Sequence, residues 1–359
     1  MRPIAVIYEN EAWMAPLFAA LDDAGAPVAR VFANTASFDP RGPAPDWSLA
    51  VNKVSPSSYL RSHGPSISFA REYLPFLEAA GIPVVNGSAA FRLETSKALQ
   101  LQLLDRLGIR APRAHVANEP ERIVAAAAGL RFPVIVKPNV GGSGALMRRF
   151  ESLDELRAAA APSDSPGGTS IDLGPDGTVI VQEYLEPEGG AIVRVEFLDG
   201  EYLYAIRITN DNDADFNLCP ADICQVPGIT PGESRVPSGR STDQYGNVIG
   251  GAIAKKPLRI EAFDAPADMI DAVLRIAHEG RLDVGGVEYL VAQRDGLPYV
   301  YDINALSNFV TDAPSLVGFD PHARFARYLV ERAEAGPHDK GAPPRTSPYP
   351  SARVAGMPR

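Results

Sequence analysis

Short apolar runs alternate with helical patterns through roughly the first 90 residues, and this alternation limits the fold more than any other feature of the chain. The runs at 4–9 (IAVIYE) and 82–87 (IPVVNG) are typical of buried parallel strands, whereas Trp13 and Leu17 share one face of a predicted helix. Alternating strands and helices predict an open, mainly parallel sheet. The sequence therefore begins with a predicted α/β domain.

The pattern changes after this region. A long helix is predicted over 93–112, and two hairpins are predicted around the Asp-Gly pairs at 199–200 and 295–296. These features predict an α+β body built on antiparallel hairpins. The stretch 336–359 is rich in proline and polar residues, which predicts a disordered tail.

Charge and cysteine content limit the classes of partner. The formal net charge is -10, which argues against nucleic acid or an anionic membrane surface as a partner. No apolar run is long enough to span a bilayer, and the chain enters a strand without a signal segment. Cys219 and Cys224 are the two cysteines, which we interpret as buried thiols because further zinc ligands are missing nearby. A reduced, cytoplasmic protein is predicted.

A lysine precedes a glycine-rich loop in FPVIVKPNVGGSGAL (132–146). A P-loop carries its lysine after the glycines, so Lys137 excludes that motif, and the glycine spacing excludes a dinucleotide-binding fingerprint. Gly141, Gly142 and Gly144 allow backbone N–H groups to turn toward a bound anion. The alternative is an ordinary hairpin or bulge beside a solvated lysine.

Oxygen-bearing side chains recur at spacing two in YVYDINAL. Asp302 and Asn304 share one face of an apolar strand, which suits Mg²⁺, although the same residues could end the strand. Glu288 shares that face if the hairpin loop has three residues, and faces away if it has two. Arg194 and Arg207 lie on opposite strands of the other hairpin, and the length of its loop decides whether they share one face. Paired arginines are suited to bind phosphoryl or carboxylate groups.

Four features follow one another along the chain: the lysine with its glycine loop, the VQEYL connector, the arginine hairpin and the DIN hairpin. Their order resembles that of the ATP-grasp superfamily of carboxylate–amine ligases. The resemblance covers about 82–310 and is nearest to ribosomal-protein glutamate ligases and bacterial glutathione synthetases. It implies ATP bound between two α+β subdomains with two Mg²⁺ ions, for which Mn²⁺ is an alternative. The implied domains are an α/β domain (1–92), a central ATP-binding subdomain (93–186) and a carboxy-terminal subdomain with the metal site (187–335).

The resemblance also implies residue roles. Arg194 and Arg207 would act on γ-phosphate or acyl phosphate as catalytic residues, and Glu288, Asp302 and Asn304 would bind metal. Lys97 and Lys137 would contact phosphate, the loop would cover it, and the connector would meet adenine and ribose. The implied ATP-binding residues are Lys97, Lys137, Gly141, Gly142, Ser143, Gly144, Gln182, Glu183, Tyr184, Leu185 and Glu188.

Three features depart from the family pattern. Glutamate at 288 and aspartate at 302 invert the usual order of the two carboxylates. Ile192 stands where the family has the aspartate of a "DIR" sequence. The stretch 209–257, which contains CPADIC, is long and matches no known role.

The implied activity is ATP-dependent ligation of a carboxylic acid and an amine through an acyl phosphate, on amino acids or peptide-like substrates. The alternatives are an acid kinase or carboxyl-activating subunit without ligation, and a nucleotide-binding protein without turnover. Arg61 and His63, in the polar loop 55–66, are the candidates to bind a substrate carboxylate, unless that loop is simply solvated. Relatives of this type also form homo-oligomers.

Overall fold

A computed structural model describes residues 1–161, 171–210, 216, 218, 220 and 258–336. The predicted tail after Gly336, and Cys219 and Cys224 with most of 209–257, lie outside the described residues. In the described part of the chain, no helix is both long and apolar enough to cross a membrane.

The first sheet is parallel, as the alternating pattern predicts. Its strand order is β2-β1-β3-β4, and helices α1 and α2 connect its strands. Asn10 begins α1 by accepting a hydrogen bond from the Trp13 N–H at 3.2 Å, as N-cap residues do. The elements are β1 (Ile4–Tyr8), α1 (Glu11–Asp23), β2 (Val28–Phe32), β3 (Leu49–Lys53), α2 (Pro65–Ala79) and β4 (Val84–Val85).

Two helices connect the first sheet to the second, where the sequence pattern predicts one. The predicted helix 93–112 is wrong in its bounds: α3 (Ser88–Glu94) ends before Thr95, and α4 (Lys97–Arg106) begins after it. Ser96 has an extended backbone and accepts a hydrogen bond from the Leu99 N–H at 3.3 Å. This cap starts a new helix, which makes Lys97 its first residue.

The second sheet is antiparallel, with strand order β5-β8-β6-β7. Helices α5 and α6 cover one face, where Ile123 and Leu156 pack with Phe150 and Val181. The sequence patterns do not predict β5, α5 or β7, which have at most eight residues each. The elements are β5 (Ala114–Ala117), α5 (Pro120–Ala127), β6 (Val134–Pro138), β7 (Arg148–Phe150), α6 (Leu153–Ala160) and β8 (Val179–Glu183).

The third sheet is also antiparallel and contains both predicted hairpins. Its strand order is β11-β10-β9-β12-β13. Helix α7 covers one face, where Val273 and Ile276 pack against Val195 and Phe197. The elements are β9 (Pro187–Leu198), β10 (Glu201–Asn210), β11 (Leu258–Ala262), α7 (Ala267–Gly280), β12 (Val284–Ala292) and β13 (Pro298–Asn304).

The last helices return to the first sheet. After α8 (Ala313–Val317), helix α9 (Pro321–Ala335) packs on α1 and on strands β1 and β3, so that Phe325 and Leu329 share a core with Ile4. Asn86 adds a polar link, since its amide donates to the carbonyls of Val284 at 2.8 Å and Ala305 at 2.6 Å. These contacts fix the first sheet against the third.

Candidate active site

Two lysines meet at the end of a buried strand. Lys137 lies on β6, whose five residues are all buried. Two residues later, the Asn139 carbonyl accepts the Lys97 N–H at 3.3 Å, and its side-chain oxygen accepts the Ala98 N–H at 3.0 Å. Asn139 therefore fixes the start of α4 at the end of β6, and both lysines line the same cleft.

Helices α3 and α4 also hold the end of β13. The Gln100 amide donates to the Ile303 carbonyl at 2.8 Å and accepts its N–H at 3.3 Å, while the Glu94 carboxylate accepts the Ala305 N–H. Between these anchors, Lys97 Nζ lies 2.5 Å from Asp302 Oδ1. The lysine from one element and the aspartate from another thus form an ion pair in the cleft.

A β-bulge places Glu288 opposite Asp302. Near the turn, Val291 pairs with Pro298 and Tyr289 pairs with Val300, a register that would align Glu288 with Tyr301. Tyr301 instead has no partner residue, and Glu288 pairs with Asp302. The two carboxylates share a face because the extra residue in β13 shifts the register, and not because the hairpin loop has three residues. The Tyr301 hydroxyl then donates to Glu288 at 2.9 Å.

A second bulge separates the two arginines. Asp199 and Gly200 form the predicted turn, which has two residues, with φ of 54° and 73°. That turn alone would place Arg207 on the face of Arg194, but Leu203 is an extra residue in β10, and Arg207 pairs with Val193 instead. Arg207 therefore lies on the face covered by α7, with its guanidinium 4.2 Å from the Phe263 ring centroid. The prediction that Arg207 acts beside Arg194 in one site is therefore wrong.

The charges in the cleft shift one another's pKa values. Burial opposes ionisation of Asp302, but Lys97 and then Lys137 hold the pKa of Asp302 below its usual value. Burial raises the pKa of Glu288, and Arg194 opposes that change. Burial, followed by repulsion from Lys97, lowers the pKa of Lys137 to about 7. Lys97 and Lys137 repel each other when no anion is bound, and a bound polyanion would offset that repulsion.

The glycine loop lies beside the first domain. Ser143 and Gly144 have φ of 57° and 65°, and the Ala145 N–H donates to the Gly142 carbonyl at 3.2 Å. A Cβ atom on Gly141 would lie 3.2 Å from the Tyr59 hydroxyl, and one on Gly142 would lie 3.6 Å from Ser57 Cβ. The loop thus lies between the lysine strand and residues 57–59.

Most of the predicted site residues line this one cleft. The central part combines two lysines and an arginine with two carboxylates and the glycine loop, and the connector forms an adjoining wall. The predicted residues that line it are Lys97, Lys137, Gly141, Gly142, Ser143, Gly144, Gln182, Tyr184, Leu185, Arg194, Glu288, Asp302 and Asn304.

The connector is only partly as predicted. Glu188 is exposed and lies outside the cleft lining, whereas Glu186 is part of it. The side chain of Glu183 is buried away from the cleft, where it lies 3.1 Å from Arg294 and 3.5 Å from Arg113. The resemblance implies that the backbone, not the side chain, of Glu183 pairs with adenine, so this prediction is unaffected by the burial of the carboxylate.

Arg61 and His63 lie behind the wall of the cleft. Arg61 Nη2 is 2.5 Å from Glu9 Oε1, and His63 Nδ1 is 3.1 Å from Glu9 Oε2. All three side chains are buried rather than solvated, and a substrate carboxylate would have to displace Glu9. The Arg61 guanidinium lies 4.2 Å from the ring centroid of Trp13, which does line the cleft.

Several cleft residues were not predicted. Glu94, whose pKa burial raises to about 7, lies three residues before Lys97, and Tyr301 lies directly before Asp302. Trp13 and Phe309 form apolar parts of the wall. Strand parity could have indicated Glu196, which lies outside the cleft lining and accepts a hydrogen bond from Arg194, whereas no sequence signal brings Trp13 or Phe309 to this cleft.

The oxygen-bearing side chains fit a hard cation. Glu288, Asp302 and Asn304 share one face and line the cleft, so that two carboxylates and one amide oxygen are available together. No three His, Cys, Asp or Glu side chains gather in the part of the chain that the structure describes. Two carboxylates and an amide suit Mg²⁺, which shares its coordination sphere with phosphate oxygens and water.

Comparison with known proteins matches this geometry. Residues 94–236 match the RimK-like ATP-grasp domain family. This match covers less than half of the chain, and it shows that the region is similar to that family. A curated relative from Pseudoalteromonas atlantica, "Probable alpha-L-glutamate ligase 2", is 25% identical over 172 residues, which cover 41% of this chain and 54% of that protein. The chain thus matches about half the length of this relative.

Solved structures extend the likeness over nearly the whole chain. The ATP-grasp ligase PsnB, solved with a precursor variant, Mg and ADP, aligns with a TM-score of 0.59 at 20% identity, covering 92% of this chain and 98% of that one. The RimK domain protein from Sphaerobacter thermophilus aligns with a TM-score of 0.59 at 18% identity, covering 91% and 98%. The predicted ATP-grasp fold, with its parallel first sheet and two antiparallel sheets, is confirmed.

Proposed function

We propose that the protein is an ATP-dependent carboxylate–amine ligase that forms an amide or peptide bond through an acyl phosphate. One observation supports this most: three cationic and two acidic side chains line one cleft together with the glycine loop. They are Lys97, Lys137, Arg194, Asp302 and Glu288. Phosphoryl transfer depends mainly on positioning and charge neutralisation, which this cleft supplies.

In the first step, an oxygen of the substrate carboxylate attacks the γ-phosphorus of ATP. A new O–P bond forms, the bond to the bridging oxygen breaks, and ADP leaves. Lys97, Lys137 and Arg194 would balance the negative charge on the transferred group, and backbone N–H groups of 141–144 would orient it. Tyr184, Leu185 and the backbone of Glu183 would hold the base.

In the second step, the amine nitrogen attacks the acyl carbon. The C–N bond forms, the C–O bond to phosphate breaks, and the amine loses a proton as phosphate leaves. Water would hydrolyse the acyl phosphate, so the cleft must exclude water while this intermediate exists. The glycine loop at 141–144 is our candidate for a cover that closes over bound phosphate.

Magnesium would be held by Asp302, Glu288 and Asn304. The ion would supply charge stabilisation for the phosphates. A pair of Mg²⁺ ions, with Mn²⁺ able to replace them, belongs to this proposal and is supported by the family resemblance alone.

The substrates are proposed to be an amino acid or a peptide-like acid and a small amine. The names of the glutamate-ligase relatives support this class, and the first domain would form the substrate wall through Trp13, Ser55 and Ser57. Arg61 and His63 are proposed to support that wall through Glu9 and Trp13. We further propose that the protein acts in the cytoplasm; a homo-oligomer is compatible with this function.

The direct test incubates the purified protein with ATP, Mg²⁺ and pairs of amino acids, and follows ADP, phosphate and condensed product by mass spectrometry. A ligase forms the condensed product only when an acid and an amine are both present, and its continued formation of ADP depends on the amine. ADP formation with a phosphorylated acid, independent of amine, would instead identify an acid kinase. ATP binding without turnover across a broad panel would identify a nucleotide-binding protein.

A further inference from the structure

We propose that Glu196 is a positioning residue that holds Arg194 in its working orientation. This inference rests on the proposed function, in which Arg194 meets the transferred phosphoryl group. Glu196 itself does not line the cleft, so it would act only through the arginine.

Arg194 is held from three sides. Its Nε donates to Glu196 Oε1 at 2.6 Å and its Nη1 donates to Glu288 Oε1 at 2.9 Å. Gly286, on the neighbouring strand, has no side chain, and a Cβ atom there would lie 2.7 Å from Arg194 Nε and Nη2. The guanidinium therefore lies directly on the Gly286 backbone between two carboxylates. Strand parity places Arg194 and Glu196 on one face of β9.

Glu196 is itself fixed. Its side chain has no exposed surface, and Oε1 also accepts the Ser307 hydroxyl at 3.0 Å. The Ser307 carbonyl in turn accepts the Lys53 ammonium at 2.5 Å. Lys53 belongs to the first sheet, and Ser307 precedes Asn308 and Phe309, which line the cleft. The carboxylate that orients Arg194 is thus anchored to two other parts of the molecule.

The two carboxylates that bind Arg194 differ in their other proposed interactions. Glu288 faces Asp302 and is a candidate metal ligand, so a cation would compete with Arg194 for its oxygens. Glu196 pairs with Gly286 across the sheet and lies outside that set. Glu196 would therefore keep its bond to Arg194 when Glu288 turns to a metal. Position 192, where the family pattern has an aspartate, is isoleucine here, and Glu196 supplies a carboxylate from the same face of the strand.

One feature argues against a purely stabilising role. Glu196 Oε2 is buried without a hydrogen-bond partner among the described residues. An unpartnered buried carboxylate oxygen is costly. The negative charge of Glu196 lies beside Arg194 despite this cost, which fits a role in orienting the guanidinium.

The test compares Glu196→Ala, Glu196→Gln and Asp283→Asn with the unchanged protein. Asp283 is a matched control because it is a half-buried carboxylate that also has two hydrogen bonds, from the Asn86 N–H at 2.7 Å and from the Tyr328 hydroxyl at 3.2 Å, and it does not line the cleft. Initial rates of ADP formation are measured with ATP, Mg²⁺ and the best amino-acid pair, together with thermal midpoints.

We expect Glu196→Ala to lower kcat by about 10- to 100-fold with little change in KM for ATP, because a misplaced group loses transition-state contacts. Glu196→Gln keeps an acceptor for Nε and should recover part of the rate. Asp283→Asn should lower the thermal midpoint without lowering kcat. Two results would overturn the positioning role while leaving the proposed function intact. In both, the unchanged protein turns over; either kcat of Glu196→Ala lies within twofold of its value, or Asp283→Asn loses as much kcat as Glu196→Ala. An unchanged protein that forms no ADP with any pair overturns the proposed function, and the positioning role with it.

Discussion

The β9–β10 and β12–β13 hairpins are built alike but place their functional side chains differently. Each contains an Asp-Gly pair in its turn, and each has one extra residue in its second strand. In the first hairpin, the extra Leu203 moves Arg207 away from the face of Arg194. In the second, the extra Tyr301 brings Asp302 opposite Glu288. One unpaired residue therefore removes a charge from the cleft in one hairpin and completes the acidic pair in the other.

The largest expected effect is on the acidic pair of the second hairpin. Asp302→Ala should lower kcat by at least about 10³-fold, because it removes a candidate metal ligand and the partner of Lys97. Initial-rate assays of ADP formation measure the loss, and circular dichroism confirms that the variant folds. Asp295→Ala, in the exposed turn of the same hairpin, is the matched control. Activity of Asp302→Ala with unchanged Mg²⁺ dependence would show that the metal site is elsewhere.

The next effect compares one residue type on two faces of one sheet. Arg194→Ala should lower kcat by about 10²-fold, as the loss of an electrostatic donor does. Arg207→Ala should leave kcat within about twofold, since Arg207 lies on the other face beside Phe263 and Glu261. Parallel steady-state assays of the two variants decide the matter. Equal losses would contradict the separation of the two arginines by the Leu203 bulge.

A smaller effect is expected from the hydroxyl of the bulged tyrosine. Tyr301→Phe removes the 2.9 Å hydrogen bond to Glu288 and should cost about 0.5–1.5 kcal/mol of activation free energy, or roughly 2- to 10-fold in kcat. Tyr299→Phe, which alters a tyrosine on the same strand at the exposed turn, serves as the control. A Tyr301→Phe variant as impaired as Asp302→Ala would mean that the hydroxyl itself takes part in the reaction.

The smallest effect is a proton exchanged on nucleotide binding. The pKa of Lys137 is lowered to about 7, and bound phosphate would raise it again by favouring the ammonium form. Binding of a non-hydrolysable ATP analogue with Mg²⁺ should therefore take up about 0.9 proton at pH 8 through this group but only about 0.1 at pH 6. Calorimetry in two buffers of different ionisation enthalpy measures the uptake. Lys137→Met should lack this contribution; the same uptake in both proteins would assign it to another group.

The predictable parts of the site are those that follow from local order along the chain. Local patterns predict three features of the site: Lys137 at the end of a buried strand, the glycines after it, and the spacing of Asp302 and Asn304. All of these residues line the cleft. Arg61 and His63 are predicted as substrate ligands because they lie in a polar loop that follows β3. Their partner, Glu9, lies more than fifty positions earlier, and no local pattern indicates that it neutralises them.

Local patterns alone determined the parallel first sheet, the antiparallel hairpins and a few cleft residues such as Lys137, Asp302 and Asn304, because these depend on preferences over a few neighbouring positions. Lys97 and the connector residues were implied only by the family resemblance. Tertiary structure decided which face each charge occupies. A bulge reverses strand parity, and packing against neighbouring strands and helices selects it, as at Leu203 and Tyr301. The bonds from Glu196 to Arg194 and Ser307 likewise join residues brought together only by the folded third sheet and the segment after it.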